Sequence, residues 1–256
     1  MARLFTNGGA HFVDYGSASD LDNLAAFTYA AWIRPASFPV GELIIVDKAT
    51  GALVRELYAT NATASFGCYV DRVTTDTDQL AAANTLVANT WHFVAWVWDG
   101  TISRLYEAQR GEALTEVAYV TNIVGSGAGE DTAAASLTLG GRSGDTTITF
   151  DGRIGRAWVY RVVLTVGELQ NLMTGRWIRS NDCLIYSLLG RGSPEPNYAP
   201  GWSNAARTGT VTGTSLAAGA PLSPPFGADA AVLVAVTAAP AAPGPTLRTV
   251  RSALRW

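Results

Sequence analysis

Histidine, lysine and cysteine, which commonly act as bases, nucleophiles or zinc ligands, are scarce in this sequence. Its 256 residues include two histidines, His11 and His92, and one lysine, Lys48. A zinc site would need more cysteine, histidine and carboxylate ligands in a recognisable spacing than the chain offers. Lys48 is followed by alanine, so there is no P-loop, and no G-x-S-x-G motif marks a hydrolase nucleophile. We interpret His92, which lies in a strongly apolar run, as a hydrogen-bonded structural residue.

Charged residues are also few. They make up 15% of the chain, and the formal net charge of -3 gives no long-range attraction for a phosphate backbone. The best apolar stretch, Ala230 to Ala239, is shorter than the roughly 18 residues of a membrane span. No apolar stretch near the amino terminus indicates a signal peptide, so we expect the chain to stay in the cytoplasm or to leave within a particle. The sequence favours neither nucleic acid nor a membrane as a partner.

Only two cysteines are present, Cys68 and Cys183, and both stand beside apolar or aromatic residues. This context favours two small buried thiols, with a disulfide between them as the alternative. Their spacing matches no metal-binding motif.

What the sequence does contain is a series of short apolar strands separated by turn residues. The strongest is WHFVAWVW, residues 91–98, in which large apolar side chains occupy both sets of alternating positions, so both faces must be covered. Asp99-Gly100 follows and predicts a type I′ turn into a returning strand at Ile102 to Tyr106. Further strands are predicted at Phe27–Ile33, Leu43–Val46, Val117–Val120, Ser136–Leu139, Phe150–Tyr160 and Leu184–Leu188. This pattern predicts an all-β fold of two packed antiparallel sheets.

One short helix is predicted among the later strands. Thr165 and Glu168 form a capping box, in which each side chain bonds the other residue's free backbone N–H. Leu164 and Leu169 stand at the positions of a hydrophobic staple, and Gly175 suits the left-handed residue that ends a helix. The apolar stripe that would face the sandwich consists of Leu169, Leu172 and Met173.

The composition changes near Pro221, which divides the chain into a sandwich domain, residues 1–226, and a carboxy-terminal extension, residues 227–256. The extension contains a strand-like segment, a Pro/Ala linker and a short basic amphipathic segment. Such a tail could add a strand to a partner's sheet edge or seat a helix in a partner's groove. A disordered end, or a strand returning to the chain's own sheet, are the alternatives. The residues that would dock are Val232, Leu233, Val234, Leu247, Val250, Leu254 and Trp256.

Four segments of the chain carry a family resemblance. They are FTYAAWIRP at Phe27–Pro35, NTWHFVAWVWDGT at Asn89–Thr101, LGGRSG at Leu139–Gly144 and FDGRIGRAWVYRVVLTVGEL at Phe150–Leu169. Together they resemble the concanavalin A-like, laminin-G-like jelly-roll superfamily, and Cys183–Phe226 is similar to the closing segment of its bacterial and bacteriophage members. The resemblance implies a two-sheet sandwich with both termini paired into the sheets. It implies no particular activity, because members include lectins, adhesion domains, glycosidases and virion proteins.

Glycosidases of that superfamily use a strand motif of the form E-x-D-x-x-E, which supplies an acid and a nucleophile about 5 Å apart. This chain has no such motif, so we predict that it is not an enzyme. Many relatives bind calcium at the rim of the sandwich, and the acidic loop of Asp71, Asp76 and Asp78 offers suitable oxygens. Its spacing matches no calcium loop, and we predict neither a metal nor another cofactor. The other carboxylates that could serve a metal are Asp14, Asp145 and Asp151.

Aromatic side chains in less regular sequence offer a surface for sugars, whose C–H faces stack on rings. Trp177, Tyr198 and Trp202 are the candidates for carbohydrate binding, and the alternative is that they only cover the edge of the sandwich.

Two non-catalytic functions fit these features. The first is a bacteriophage virion-associated protein, a decoration or accessory subunit, whose lectin-like domain is displayed on the particle surface while the tail docks on capsid or tail subunits. The second is a carbohydrate-binding adhesion module that recognises a cell-surface glycan. A divergent glycoside hydrolase or lyase is a third alternative, and the residues leave a homo-oligomer open.

Overall fold

The computed structural model describes residues 1–50, 52–61, 63–130, 134–190, 192–199 and 207–218. Among these residues, no helix has the length and apolar content needed to cross a membrane. The elements are β1 (Ala2–Phe5), β2 (Phe12–Asp14), β3 (Phe27–Pro35), β4 (Glu42–Thr50), β5 (Ala52–Thr60), β6 (Ser65–Val70), β7 (Thr77–Ala81), β8 (His92–Trp98), β9 (Ser103–Gln109), β10 (Thr115–Glu116), β11 (Tyr119–Ile123), β12 (Ser136–Leu139), β13 (Gly152–Tyr160), α1 (Val166–Met173), β14 (Cys183–Ser187), β15 (Glu195–Pro196), β16 (Thr208–Thr212) and β17 (Ser215–Ala217).

The strands form two antiparallel sheets, which confirms the predicted all-β sandwich. The eight-stranded sheet has the order β10-β9-β8-β3-β13-β1-β17, and β14 also pairs with β13. The nine-stranded sheet has the order β11-β7-β6-β5-β4-β12-β2-β16-β15. The first strand, β1, pairs with both β13 and β17, so segments distant in sequence close the sandwich together.

The two sheets enclose the main hydrophobic core. Phe27, Tyr29 and Trp96 are fully buried there. The Trp96 ring meets its neighbours edge-on, at centroid distances of 4.6 Å from Phe27 and 5.3 Å from Tyr29. Its indole N–H donates to Ser103 Oγ at 3.0 Å, so the polar atom of the ring is satisfied inside the core. Each large apolar side chain buried in this way contributes roughly 1.5–3 kcal/mol to stability.

A second apolar cluster lies on the outer surface of the eight-stranded sheet. Phe93, Ala95 and Val97 belong to it, whereas the alternate residues of β8 belong to the main core. The prediction that both faces of this strand are covered is therefore confirmed. Helix α1 supplies the outer cover through Leu169 and Leu172, which are buried in the same cluster.

The helix begins and ends as predicted. Thr165 is the N-cap, and both hydrogen bonds of the capping box with Glu168 are present. At the other end Gly175 has a φ of 82°, and its N–H donates to the Leu172 carbonyl at 2.8 Å. Arg176 N–H donates to the Asn171 carbonyl at 2.9 Å. This pair of bonds is a Schellman motif, which satisfies the last carbonyls of the helix.

The hairpin between β8 and β9 is confirmed, but its turn differs from the prediction. A type I′ turn needs a positive φ at both central residues. In the Asp99-Gly100 pair only Gly100 has one, at 96°. The Asp99 carboxylate instead accepts hydrogen bonds from the N–H groups of Thr101 and Ile102, at 2.9 and 2.7 Å. Side-chain capping by aspartate therefore replaces the predicted turn geometry.

The predicted strand at Val117–Val120 is wrong. β10 ends at Glu116 in the eight-stranded sheet, and β11 begins at Tyr119 in the nine-stranded sheet. Val117 N–H still donates to Leu105 of the first sheet at 3.0 Å, while the Ala118 carbonyl accepts from Ala82 of the second at 2.7 Å. The chain changes sheets inside this apolar run, which sequence alone shows as one strand.

Both cysteines are free and buried, which confirms the prediction of two separate thiols. Burial raises the pKa of the Cys183 thiol to about 12 and raises that of Cys68 as well. His92 is fully buried, with Nδ1 2.6 Å from Glu107 Oε1 and Nε2 accepting from Val87 N–H at 3.0 Å. The interpretation of His92 as a structural, hydrogen-bonded residue is confirmed.

Candidate functional site

Three aromatic side chains meet on the outer surface of the eight-stranded sheet. The Trp177 ring meets the Tyr186 ring nearly edge-on, at a centroid distance of 4.7 Å and an angle of 80°. Tyr198 approaches Tyr186 at 6.1 Å and 63°, and Tyr186 stacks on the buried Trp158 at 5.6 Å and 8°. We call Trp177, Tyr186 and Tyr198 the aromatic surface. Trp177 is 50% exposed and both tyrosines are half-buried, so ring faces and edges are open to a ligand.

The position of Tyr186, the central ring, follows from the register of β14 against β13. Ile185 of β14 points into the main core, so the next residue, Tyr186, points outward. Tyr186 stands opposite Trp158 in the β13–β14 pairing, which sets the two rings face to face. Trp177 reaches Tyr186 because the helix has just ended at Gly175, whose left-handed backbone redirects the chain.

The buried side chain of Asn197 fixes the third ring. Its Oδ1 accepts from the N–H groups of Tyr186 and Ala199, at 2.9 and 3.1 Å, and its Nδ2 donates to the Leu184 carbonyl at 3.0 Å. Tyr198 N–H donates to the Tyr186 carbonyl at 2.8 Å. The Asn197 amide thus replaces missing ladder bonds and holds Tyr198 beside β14.

Two of the three aromatic residues that the sequence singled out come together here. Trp177 and Tyr198 both contact Tyr186, which the sequence analysis missed. The signal that could have found Tyr186 is the outward position in the strand CLIYS, opposite an outward tryptophan. Trp202 and the docking residues of the tail, Val232 to Trp256, lie outside the described residues and remain predictions.

Arginine side chains border the aromatic surface. Arg156 stands two residues before Trp158 in β13 and pairs in register with the outward-facing Trp32 of β3. Burial raises the pKa of Tyr186, and the positive charge of Arg156 opposes that rise. The guanidinium charge therefore acts at the Tyr186 hydroxyl. Arg153 lies on the same outer face of β13, because the intervening Ile154 points into the main core.

The outer surface of the nine-stranded sheet carries a different group, a pair of carboxyls. Asp47 of β4 and Glu56 of β5 stand directly opposite each other in register. Arg142 binds both, through Nε to Asp47 Oδ2 at 2.8 Å and through a terminal nitrogen to Glu56 Oε2 at 3.0 Å. The two carboxyl residues are 0% and 1% exposed. We call Asp47, Glu56 and Arg142 the carboxyl clamp.

Burial dominates the electrostatics of the carboxyl clamp. It raises the pKa of Asp47 to about 6 against the opposing effect of the Arg142 guanidinium. Burial also raises the pKa of Glu56 well above its ordinary value, and the neighbouring charge of Asp47 adds to that rise. One guanidinium cannot neutralise two carboxylates, so the pair favours retention of a proton.

The carboxyl clamp places two carboxyls side by side on neighbouring strands, as an acid–nucleophile pair would require. The sequence analysis missed it because the two carboxyls come from neighbouring strands and not from one strand motif. Their burial and their shared bonds to Arg142 leave no open groove above them. Asp47 Oδ1 and Glu56 Oε1 form no hydrogen bond within the described part of the chain. The arrangement suits a structural ion cluster better than hydrolysis of a glycoside, which needs both carboxyls at the substrate.

The carboxylates considered for calcium serve local hydrogen bonds instead. Asp76 accepts from Tyr69 Oη at 2.6 Å and from Arg72 N–H at 2.9 Å. Asp145 Oδ1 accepts from both the N–H and the hydroxyl of Thr147, each at 2.7 Å. In the ranges that the structure covers, no three histidine, cysteine or acidic side chains are grouped so that they could hold a metal ion. The residues present do not fit a calcium site.

Comparisons with solved structures show the same architecture at low sequence identity. A Bacteroides ovatus protein described as a candidate carbohydrate-binding protein aligns over 87% of this chain and 61% of its own, with a TM-score of 0.58 and 17% identity. This chain therefore spans about three fifths of that protein. A heptameric SAP-like pentraxin from Limulus polyphemus aligns over 84% of this chain and 93% of its own, with a TM-score of 0.49 and 13% identity.

The CBM40 module of the Ruminococcus gnavus IT-sialidase, solved with α2,3-sialyllactose, aligns over 67% of this chain and 97% of its own, with a TM-score of 0.47 and 19% identity. At these identities the likenesses establish the fold alone. A search of proteins with curated functions finds no match.

A family model gives the assignment that these structures alone do not. A laminin-G-type model, described as the concanavalin A-like lectin/glucanases superfamily, matches residues 7–170. The match covers more than half of the chain, from β2 through β13 and into the first turns of helix α1. The two antiparallel sheets agree with it, and the resemblance seen in the sequence is thereby confirmed. This chain belongs to the concanavalin A-like lectin/glucanase superfamily, in its laminin-G-like branch.

Proposed function

We propose that this chain is a non-catalytic carbohydrate-binding module and that its aromatic surface stacks on a sugar. The observation that carries the proposal is the half-exposed Trp177 held edge-on against Tyr186, with Tyr198 also in contact with Tyr186. A single exposed apolar side chain is common on protein surfaces, but rings grouped at one place form an apolar patch that is typical of a binding site.

The chemistry of the aromatic surface suits a sugar. The C–H face of a pyranose is apolar and stacks on an aromatic ring, while the hydroxyl groups at its edge need hydrogen-bond partners. The Tyr186 ring lies 4.7 Å from that of Trp177 and 6.1 Å from that of Tyr198, and each tyrosine combines a ring with a hydroxyl, so both needs can be met at one place. Asn197 and the stack on Trp158 hold the rings in position before binding, which lowers the entropy cost of complex formation.

The known relatives support the scaffold of this proposal. The Bacteroides ovatus protein with a TM-score of 0.58 is described as a candidate carbohydrate-binding protein. Because fold similarity at 17% identity does not carry function, the proposal rests on the aromatic surface itself.

The test is glycan binding by the full chain and by Trp177→Ala, first on a glycan array and then by titration calorimetry with the best ligand. We expect Trp177→Ala to weaken binding by at least about tenfold, since a central aromatic contact is lost. The matched control is Leu216→Ala, because Leu216 is 51% exposed, like Trp177 at 50%, but lies on the edge strand β17. Equal loss in both variants, or no glycan bound by the wild type, would refute the proposal.

The non-catalytic part of the proposal has its own test. Both carboxyls of the clamp are bound to Arg142 and buried, which leaves neither free to protonate a leaving group or attack a sugar. Incubation with a panel of polysaccharides should release no new reducing ends. Release that disappears in Glu56→Gln, while Glu112→Gln retains it, would show that the chain is an enzyme.

We also propose that the chain is a bacteriophage virion-associated protein, displayed on the particle surface and docked on capsid or tail subunits through residues 227–256. Support comes from the sequence of that segment, which combines apolar side chains with Arg248, Arg251 and Arg255. The test is co-sedimentation with particles of the phage that encodes the chain. Deletion of residues 227–256 should abolish co-sedimentation while Trp177→Ala leaves it intact, and unchanged co-sedimentation of the deletion variant would refute docking by this tail.

A further inference from the structure

Most arginine side chains in the described part of the chain are bound to a carboxylate or a carbonyl. Near helix α1, for example, Arg161 pairs with Asp182 at 3.3 Å, and Arg179 pairs with Glu168. Arg153, Arg156 and Arg176 differ from these. Within the described ranges their guanidinium groups form neither an ion pair nor a hydrogen bond.

Two of these three arginines lie beside the aromatic surface. Arg176 is exposed and immediately precedes Trp177, while Arg156 is half-buried on the outward face of β13, two residues before Trp158. Arg153 lies on the same face but five residues from Trp158, roughly 16 Å along the strand. The two positive charges beside the rings do not reflect a general excess of positive charge, since the whole chain has a formal net charge of -3.

We propose that the aromatic surface and its two bordering arginines, Arg156 and Arg176, select a sugar residue that carries a carboxylate or sulfate group. This inference rests on the proposed carbohydrate-binding function and specifies its ligand class. The sugar ring stacks on Trp177, and its acidic group lies toward β13, where the planar fork of a guanidinium can donate two parallel hydrogen bonds. A neutral sugar makes the stacking contact and leaves the arginines unsatisfied.

The experiment uses glycans in pairs that differ in one acidic group. Suitable pairs are sialyllactose with lactose, sulfated lactose with lactose, and an oligogalacturonate with its methyl ester. For the full wild-type chain we expect the acidic member of at least one pair to bind about tenfold or more tightly, since a charge-assisted hydrogen bond exceeds a neutral one by this amount. The carboxylate and sulfate pairs distinguish which acidic group is preferred.

Substitution then tests whether the arginines carry the preference. Arg156→Gln with Arg176→Gln should reduce the ratio of acidic to neutral affinity toward one, with neutral binding unchanged. Arg104→Gln is the control, because it removes one positive charge from the same sheet at β9, where Arg104 already pairs with Glu116 at 3.1 Å. The control variant should keep the wild-type ratio of acidic to neutral glycan affinity.

The outcomes separate this inference from the proposed function. If neutral glycans bind as tightly as acidic ones and Trp177→Ala abolishes both, the carbohydrate-binding function stands and the acidic preference is refuted. An unchanged ratio in the double variant refutes the role of the arginines. Equal binding of an oligonucleotide probe, lost in the double variant, would mean unspecific attraction of polyanions and would also overturn the inference. If no glycan binds, both proposals fail.

Discussion

The outer surface of the eight-stranded sheet carries aromatic rings and arginines, whereas that of the nine-stranded sheet carries carboxyl groups. Both surfaces arise from the same alternation along antiparallel strands, which sends every second side chain outward. On the first surface, Arg153 and Arg156 have no bound partner among the described residues. On the second, Arg142 binds Asp47 and Glu56 together.

The difference between the two surfaces lies in how their charges are satisfied. The carboxyl clamp is closed, since its ions bind one another and its carboxyls are removed from solvent. The aromatic surface is open, since its rings and its bordering cations reach solvent. A closed charged cluster affects chiefly the stability of the fold, whereas an open one affects chiefly binding. Substitution of a charged residue should therefore change mainly the stability of the fold at the carboxyl clamp and mainly ligand binding at the aromatic surface.

The largest effect is expected from Arg142→Ala. This change leaves Asp47 and Glu56 buried without their cation, and removal of one partner from a buried ion pair costs roughly 3–5 kcal/mol. Chemical denaturation at pH 7 measures the loss of unfolding free energy. The loss should shrink toward pH 4, where both carboxyls bind protons and the uncompensated charge disappears.

The control for that experiment is Arg104→Ala. The Arg104–Glu116 pair is exposed on both sides, and surface pairs of this kind are worth less than about 1 kcal/mol. Similar losses in the two variants, or a loss in Arg142→Ala that does not depend on pH, would contradict the closed character of the carboxyl clamp.

The next effect concerns the pH dependence of stability. Burial raises the pKa values of Asp47 and Glu56 in the folded state, to about 6 for Asp47. Between about pH 4 and pH 7 the folded chain therefore binds more protons at the clamp than the unfolded chain, so these groups lower the free energy of unfolding as the pH rises.

Glu56→Gln removes one of the two acidic groups and the repulsion that it exerts on Asp47. Relative to the wild type, this variant should gain about 1–3 kcal/mol of unfolding free energy between pH 4.5 and pH 7.5. Thermal unfolding across this pH range measures the difference. Glu112→Gln, at an exposed position, should follow the wild type, and an identical pH profile in Glu56→Gln would show that the clamp does not retain a proton.

The sequence was most informative where the structural signals are local. The capping box of Thr165 and Glu168 and the ending at Gly175 depend on residues within a few positions of one another, and all three were predicted. Strands β5, β6 and β7 were not predicted, and in β5 the charged residues Arg55 and Glu56 interrupt the apolar pattern. These charges are buried through partners from distant segments: Arg55 donates to the Leu21 carbonyl at 2.6 Å, and Arg142 binds Glu56.

The candidate site follows the same rule. Exposed aromatic residues outside regular strands pointed to Trp177 and Tyr198 from sequence alone. Tyr186 and the bordering arginines depend on the pairing of β14 with β13 and of β13 with β3, which join residues tens of positions apart. Register of this kind is set by tertiary packing, so a single sequence does not reveal which outward side chains become neighbours.

The smallest effect is expected from Thr165→Ala, which weakens the cover of the eight-stranded sheet without touching its strands. Loss of an N-cap side chain costs about 1 kcal/mol, and denaturant unfolding should show a loss of this size. Thr165→Asp keeps an oxygen for the Glu168 N–H and should remain close to the wild type. Because helix α1 ends beside Trp177, Thr165→Ala should also loosen the aromatic surface, detected as faster hydrogen exchange at Arg176 and Trp177, while the amides of β4 and β5 remain as protected as before. Faster exchange in β4 and β5 would mean that the two outer surfaces are not independent, and the contrast between a closed and an open face would then fail.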